Sequence, residues 1–386
     1  MKIFSITLIS AFQISCQFSS NMESTHQSIA KFDAFLMTRQ SVDCSFIFEN
    51  GKELPEDYLL AAAIWHCPEE RDSDLFRIQY EKVNRMIHRT TFTAFVNAYL
   101  EDLSSPDLYK FHEALGECIL LDKEHQNMYA LYEFDGTTSM ILPGYNNEYL
   151  KKILEYNPDF LFAKEELATC LDPITECEKQ IAYYHDVQRY YSNDQLSLRI
   201  CEALLNCRRL DDFVRSMNAL KHLEINSTYL QLLSRYNFEF AGNFELAIDY
   251  AEKAIVLDSL NLSNHVTKVL ALTFSSEKDQ ALNAVGHVLS NQLLKDQNQE
   301  FLLILTSIIY LKFNEVSKAE MVLTELRDLD SSPSMIRFLE LIMEKRRNSQ
   351  NSVYKSEIES LWQFGDVGNT IELLRLCEIA NFQVVR

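Results

Sequence analysis

Glycine and proline are scarce in this chain of 386 residues, which contains 8 and 7 of them respectively. All-β folds need many tight turns, and tight turns depend on these two residue types. Their scarcity excludes a turn-rich all-β protein and favours helices joined by short loops. The hydrophobic fraction of 47% allows a sizeable core, so we also exclude bulk disorder.

Positive charge is also in deficit, because 36 lysines and arginines face 56 aspartates and glutamates, giving a formal net charge of −20. So acidic a surface repels phosphate backbones, and the basic residues occur only in short runs such as Lys345-Arg346-Arg347. We therefore predict that the protein does not bind nucleic acid. After the first twenty residues no segment is apolar for 18 positions, so we predict no transmembrane helix.

The first twenty residues, MKIFSITLISAFQISCQFSS, combine Lys2, an apolar stretch and small polar residues. This is the pattern of a secretory signal peptide, and it is too short to span a membrane. Met22 follows at once, so a start at Met22 would remove the leader and give a cytosolic N-terminus. These residues do not choose between the starts at Met1 and Met22. The sequons at Asn226 and Asn261 do not decide the question either, because such triplets often occur by chance.

The nine cysteines are scattered through apolar segments. We interpret them as reduced, buried thiols of a cytosolic protein, whereas removal of a signal peptide would leave eight, an even number. Zinc binding is the weaker hypothesis, because the four cysteines nearest to a cluster lack the short C-x₂₋₄-C spacing that holds the metal. We therefore predict no metal site. These four cysteines are Cys170, Cys177, Cys201 and Cys207.

The N-terminal third of the chain differs in pattern from the rest. Alternating apolar residues in SVDCSFIFENGKELPEDY, with the turn dipeptide Asn50-Gly51, predict a strand or a small hairpin. Residues 57–67 have the pattern of a helix, and two glycines and a proline in 133–145 predict a loop or boundary. After about residue 147 the pattern is helical to near the end. The predicted division is a possible signal peptide or N-terminal extension (1–21), an α+β or helical region (22–145) and a helical repeat domain (146–386).

Small residues recur in the helical part at a fixed spacing. Ala247 lies 34 residues after Phe213 and 34 before Ala281, and Ala319 follows with four further residues of offset. Gly242, just before Ala247, can adopt the left-handed conformation that ends a helix. A small residue early in the next helix then lets two backbones approach closely, with the positions four and seven residues later on the same face. The remaining positions of this pattern are Phe238, Phe244, Ala251, Ala254 and Tyr310.

This spacing is the tetratricopeptide (TPR) pattern, best preserved over residues 232–260 and degenerate elsewhere. We predict a mainly α protein, an α-α superhelix of degenerate TPR-like helical hairpins with a small α+β N-terminal region. A non-repetitive helical domain with one chance match is the alternative. The turn of the third unit, with Ser276 and Lys278, fits the pattern less well than the others.

No catalytic motif stands out, since HExxH, G-x-S-x-G, Walker A and G-x-G-x-x-G are all absent. We predict a non-catalytic protein without a cofactor, and a helical enzyme remains the minor alternative. In helical repeats, the first helix of each unit lines a concave groove that can hold a peptide. The acidity of this groove predicts a basic or polar partner segment. The residues predicted to line it are Glu202, Leu205, Asn206, Tyr229, Leu232, Tyr236 and Glu239.

The order of several motifs resembles a known family. A segment ending in FIFENGKELP precedes the helix AAAIWHC, and N-N-x-Y-L at 146–150 leads to the TPR-like stretch at 236–258. Over most of residues 30–290 this arrangement resembles the fungal ChAPs family, the cargo adaptors of the exomer coat. This chain is much shorter than typical members, which extend further after the repeats.

The resemblance implies a cytosolic vesicle-coat cargo adaptor, started at Met22, that acts at the late Golgi in transport to the plasma membrane. Its partners would be the cytosolic tails of membrane cargo, a dimeric scaffold subunit and an Arf-type GTPase, with peripheral membrane association. The alternative is a generic TPR scaffold for protein–protein interaction, secreted or periplasmic if the leader is a real signal peptide.

Overall fold

All regular secondary structure among the described residues of this computed structural model is helical, which confirms the mainly α prediction. The described residues are 25–38, 44–67, 74–85, 94, 98, 107–121, 128–142, 147–173, 175–329 and 333–347. They divide into two compact units near residue 200, with the turn at 173–175 grouped with the second. The predicted leader, the choice between Met1 and Met22 and the end of the predicted repeat domain lie outside these residues. The predicted boundary after residue 145 stays a prediction.

The first unit is built from short helices in which neighbours along the chain pack together. Its helices are α1 (25–37), α2 (Cys44–Asn50), α3 (Glu56–His66), α4 (Asp74–Asn84), α5 (Leu108–Leu121), α6 (Met128–Ile141), α7 (Glu148–Tyr156), α8 (Leu161–Cys170), α9 (Cys177–Gln188) and the first part of α10 (Asp194–Asn206).

The predicted strand in this unit is wrong, because residues 44–50 form α2. The N–H of Gly51 donates to the carbonyl of Ile47 at 2.9 Å and closes the helix. A Cβ atom on Gly51 would overlap the side chain of Leu59, so the glycine permits α3 to pack against the end of α2. The Asn-Gly pair therefore ends a helix here, a role that glycine serves as well as that of a hairpin turn.

The interpretation of the cysteines as reduced thiols is wrong for four of them. Cys44 begins α2 and Cys67 follows α3, and the packing of these two helices brings their Cα atoms to 6.0 Å in a disulfide. Cys177 and Cys207 are disulfide-bonded as well. Cys118 and Cys201 are the free cysteines that fit the prediction of buried thiols.

The predicted loop at 133–145 is also wrong as far as Ile141, because α6 continues through it. The hydroxyl of Thr138 donates to the carbonyl of Phe134 at 2.6 Å, a local bond that is compatible with helix. Tyr129 and Leu131 at the start of α6 are almost fully buried in the core. Burial of this apolar face outweighs the weak helix propensity of glycine and threonine.

The second unit consists of longer helices joined at short corners. They are the end of α10, α11 (Leu210–Ala219), a 3₁₀ turn (Lys221–Leu223), α12 (Ser227–Tyr236), a π turn (Asn237–Ala241), α13 (Phe244–Leu257), α14 (Leu262–Phe274), α15 (Lys278–Ser290), α16 (Gln292–Lys312), α17 (Val316–Asp328) and α18 (Pro333–Arg347). From α12 to α17 each helix packs against the next, and α12 also contacts α14.

Four corners of the second unit share one backbone conformation. Arg208, Gly242, Ser276 and Asn314 have φ values of 59°, 63°, 67° and 63°, which lie in the left-handed region. Each lies five residues before a position of the small-residue pattern, so the chain turns in the same way at 34-residue intervals and then after 38 residues. The corner at Ser276 is therefore as regular as the others, although its sequence fits the pattern poorly.

Close helix packing follows each corner. Phe213, Ala247, Ala281 and Ala319 are all almost fully buried, and so are the positions four and seven residues later in each helix. The hydroxyl of Ser234 on α12 donates to the carbonyl of Ala247 on α13 at 2.7 Å, a distance that only a small side chain at this crossing permits. The recurrence of corner and buried position confirms TPR-like helical hairpins.

Candidate partner-binding groove

Asparagine caps fix the start of the first helix of each hairpin. The side chain of Asn226 accepts the N–H of Tyr229 at 3.1 Å at the start of α12, and Asn193 accepts the N–H of Leu196 at 2.7 Å at the start of α10. Asn226 and Gly242 are separated by one residue more than Asn193 and Arg208. The π turn at Asn237–Ala241 accommodates the extra residue, and such turns frequently occur at functional sites.

Arg235 gathers the polar residues of this groove. Its guanidinium donates to Glu202 at 3.1 Å, to Asn206 at 2.8 Å and to Glu239 at 3.1 Å. We call these four residues the Arg235 cluster. Glu202 and Asn206 lie on α10 and Glu239 lies in the π turn, so one side chain of α12 joins residues from two neighbouring hairpins.

The electrostatics of the Arg235 cluster favour a cationic ligand. The Arg235 side chain is 5% exposed, and two carboxylates surround its single positive charge, which leaves a formal charge of −1. The Glu202 side chain is 48% exposed and the Glu239 side chain 17%. The excess negative charge therefore lies on the solvent side, where Glu202 can accept a further cation.

An aromatic row lies beside the Arg235 cluster. The ring of Tyr236 stacks on that of Phe213 at 5.3 Å between centroids and lies 6.5 Å from that of Phe240. The guanidinium of Arg208, at the corner, lies 5.7 Å from the centroid of the Phe240 ring. Tyr236 and Phe240 are half-buried, so they offer apolar ring surface next to the carboxylates.

Four of the seven predicted groove residues therefore lie together with at least partial exposure. These are Glu202, Asn206, Tyr236 and Glu239.

The other three predicted groove residues, Leu205, Tyr229 and Leu232, are buried, which is a correction to the predicted surface. The hydroxyl of Tyr229 donates to the carbonyl of Met217 at 3.4 Å, so this side chain points onto α11 and away from a ligand. Because α12 is covered by helices on more than one side, its buried arc is wider than that of a helix in an isolated hairpin.

The sequence pattern did not identify Arg235 itself. Seven residues before the other corners lie Cys201, Val269 and Ser307, all uncharged and buried. Arg235 is thus the single charged residue at this position among the four hairpins described. A signal was present, because Arg235 lies four residues before Glu239, which is the spacing of a helical ion pair.

The four cysteines weighed as zinc ligands do not form a site. Cys177 and Cys207 are oxidised, so they cannot supply thiolates. Burial raises the pKa of the Cys201 thiol to about 12, which keeps it protonated. No group of three or more histidine, cysteine or acidic side chains is placed to hold a metal within the part of the chain that the structure describes.

A buried acid in the first unit is a second group with unusual chemistry. The Asp33 carboxyl is fully buried and accepts a hydrogen bond from the hydroxyl of Tyr58, which lies 3.3 Å from that of Tyr129. Burial raises the pKa of Asp33 well above its usual range. A carboxyl without solvent access cannot meet a substrate, so we interpret it as part of the core.

Comparison with known proteins leaves the sequence without a family. No protein-family model and no curated protein matches it. Among solved structures, the crystal structure of the P58(IPK) TPR domain is similar, with 14% identity and a TM-score of 0.34, covering 75% of this chain and 77% of that chain. That likeness is too low to carry an argument. None of the helices described has the length and apolar character needed to cross a membrane. The repeated corners and buried small positions are what identify TPR-like helical repeats.

Proposed function

We propose that this protein is a non-catalytic TPR-like adaptor that binds a basic peptide segment at the Arg235 cluster. The observation that carries the proposal is the excess of carboxylate over guanidinium charge beside half-buried aromatic rings. A lysine or arginine of the partner would bind the outward oxygen of Glu202. An apolar side chain next to it would lie on Tyr236 and Phe240.

The disulfides support an oxidising compartment. Disulfides persist in the secretory pathway, the periplasm and outside cells, and they are rare in the cytosol. The bond between Cys44 and Cys67 therefore favours the secreted or periplasmic alternative over a cytosolic coat adaptor. No family match adds to the resemblance with exomer adaptors, so we do not propose cargo tails or an Arf-type GTPase as partners.

Peptide binding tests the groove. The full chain is titrated into fluorescein-labelled peptides of about twelve residues that alternate lysine with leucine or phenylalanine, and anisotropy is measured. We expect the Glu202→Gln/Glu239→Gln variant to bind about tenfold to thirtyfold more weakly, since each carboxylate contact is worth about 1 kcal/mol. Affinity of the unsubstituted chain should fall with added salt.

The matched control removes two exposed carboxylates elsewhere in the same unit. Glu245 and Glu325 lie on α13 and α17, and Glu245→Gln/Glu325→Gln changes the net charge by the same amount. Equal loss of binding in both double variants would show that overall acidity, and not this groove, attracts the peptide.

Thiol mapping tests the compartment. Protein isolated from the cells that make it is alkylated before reduction and digested for mass spectrometry. We expect Cys44 and Cys67 in one disulfide-linked peptide pair. Alkylated Cys44 and Cys67 in the fresh lysate would contradict the proposed compartment while leaving the groove test independent.

A further inference from the structure

Two sequons occupy equivalent places in the second unit. Asn226, in Asn-Ser-Thr, caps α12, and Asn261, in Asn-Leu-Ser, caps α14. A large exposed hydrophobic residue directly precedes each of them. The residue before Asn226 is Ile225, which is 84% exposed, and the residue before Asn261 is Leu260, which is 52% exposed.

These sequons lie on one apolar edge. The hydroxyl of Ser227, next to Asn226, donates to the carbonyl of Ala254 near the end of α13 at 3.3 Å and accepts from the amide of Asn264 at 3.3 Å. These bonds bring the start of α12, the end of α13 and the start of α14 to the same end of the helices. Exposed hydrophobic side chains cluster there, and we call them the apolar edge: Ile225, Val256, Leu257 and Leu260.

Asn226 is suited to carry a substituent. Its Oδ1 atom accepts the N–H of Tyr229, so a group on Nδ2 leaves the helix cap intact. Asn226 and Thr228 are both exposed, whereas Asn261 and Ser263 of the second sequon are half-buried. A bulky chain attached before folding must remain outside the folded protein, and the first sequon meets that requirement better.

We propose that Asn226 carries an N-linked glycan that shields the apolar edge; the inference rests on the proposed oxidising compartment being one that glycosylates proteins. The donor is a lipid-diphosphate-linked oligosaccharide. The Nδ2 atom of Asn226 forms a bond to C1 of the reducing-end sugar and loses a proton, while the bond between C1 and the diphosphate oxygen breaks and the lipid diphosphate leaves. An exposed apolar patch on a monomer promotes association, and a hydrated glycan beside it hinders approach.

The test uses the full chain purified from the cells that make it. Its intact mass is measured before and after treatment with peptide-N-glycosidase, which converts a glycosylated asparagine to aspartate. We expect conversion at Asn226. Thr228→Ala removes the sequon and keeps the asparagine cap, so it should lose the glycan; Thr228→Ser keeps the sequon and should retain it. Ser263→Ala, which removes the second sequon, is the matched control and should leave the modification at Asn226 unchanged.

Shielding is tested on the same proteins. We expect the Thr228→Ala protein to bind at least twofold more of a hydrophobic dye than the Thr228→Ser protein, and we expect Ile225→Ser in the Thr228→Ala background to reverse most of that increase. Equal dye binding by the two Thr228 variants would overturn the shielding role.

The results separate the glycan from the proposed compartment and groove. An unmodified Asn226 in a protein whose Cys44 and Cys67 are oxidised would overturn the glycan and leave the compartment standing. Modification at Asn261 alone would also overturn the assignment. An unmodified Asn226 together with alkylated Cys44 and Cys67 would overturn both the glycan and the compartment, while binding of the basic peptide is measured independently of either.

Discussion

Replacement of Arg235 by methionine tests how the Arg235 cluster is held together. Methionine fills much of the same space and makes no ion pair, so the change removes the guanidinium without opening a large cavity. The carboxylate of Glu239, 17% exposed, then loses its bonded cation, and the Oδ1 atom of Asn206 loses its donor. Glu202 is 48% exposed and is hydrated in place of its ion pair.

The expected loss of stability follows from those exposures. Removing one partner of a fully buried pair costs about 3–5 kcal/mol, because the other charge is left unpaired. The bond to Glu202 adds no more than about 1 kcal/mol, since exposed pairs are strongly screened. Glu239 keeps some contact with water, so we expect Arg235→Met to lower the unfolding free energy by about 2–4 kcal/mol.

Urea denaturation followed by circular dichroism measures the loss, and hydrogen exchange of peptides from α12 locates it. A thermodynamic cycle with Glu239→Gln isolates the pair, because the second substitution removes the unpaired charge that the first one creates. We expect the double variant to recover about 1–2 kcal/mol relative to the sum of the single variants. A loss under about 1 kcal/mol for Arg235→Met, or additive single effects, would refute the reasoning.

Three further predictions concern the disulfide, the buried acid and a corner. Replacing Cys44 and Cys67 by serine should lower the unfolding free energy by about 3 kcal/mol for a sequence separation of 23, and the variant should be insensitive to a reducing agent that weakens the native chain. Burial raises the pKa of Asp33, so the native chain should be most stable below the unfolded pKa of about 3.8 and should lose stability as the pH rises through the higher folded pKa. Asp33→Asn should remove that loss in urea midpoints measured from pH 4 to 8, and an unchanged pH profile would count against it. Ser276, with φ at 67°, should gain about 0.5–1 kcal/mol on replacement by glycine and gain nothing on replacement by alanine, as judged by thermal unfolding.

The repeat was predictable because packing and backbone geometry act at the same spacing. Ala247 and Ala281 occupy crossings where only small side chains fit, and this requirement leaves a trace in the sequence. The corners at Arg208 and Ser276 left no such trace, since a left-handed residue need not be glycine when neighbouring helices fix the turn. Gly51 misled the prediction for a related reason, because its function depends on a contact with Leu59 that is not local.

The groove was predictable only in part because exposure depends on all the neighbours of a helix. The period of the pattern places Leu232 and Tyr236 on one side of α12, but it does not say how far the covering helices reach. Leu232 is buried and Tyr236 is half-buried, although they lie one turn apart. Arg235 was not predicted because an arginine within an apolar helix is expected at the surface, and its burial requires Glu202 from the preceding hairpin.

The place of Arg235 bears on function because its cost in stability is avoidable. The equivalent residues Cys201, Val269 and Ser307 show that an uncharged side chain fills this position in the other hairpins described. A buried ion pair is seldom more stable than apolar residues of the same volume, and its best-attested use is to fix the register of packed elements. Arg235 fixes α10 against the π turn, and those two segments carry the carboxylates of the groove. The charge therefore lies where a binding surface shared by two hairpins needs a fixed geometry, and a core in need of stability alone would have no use for it.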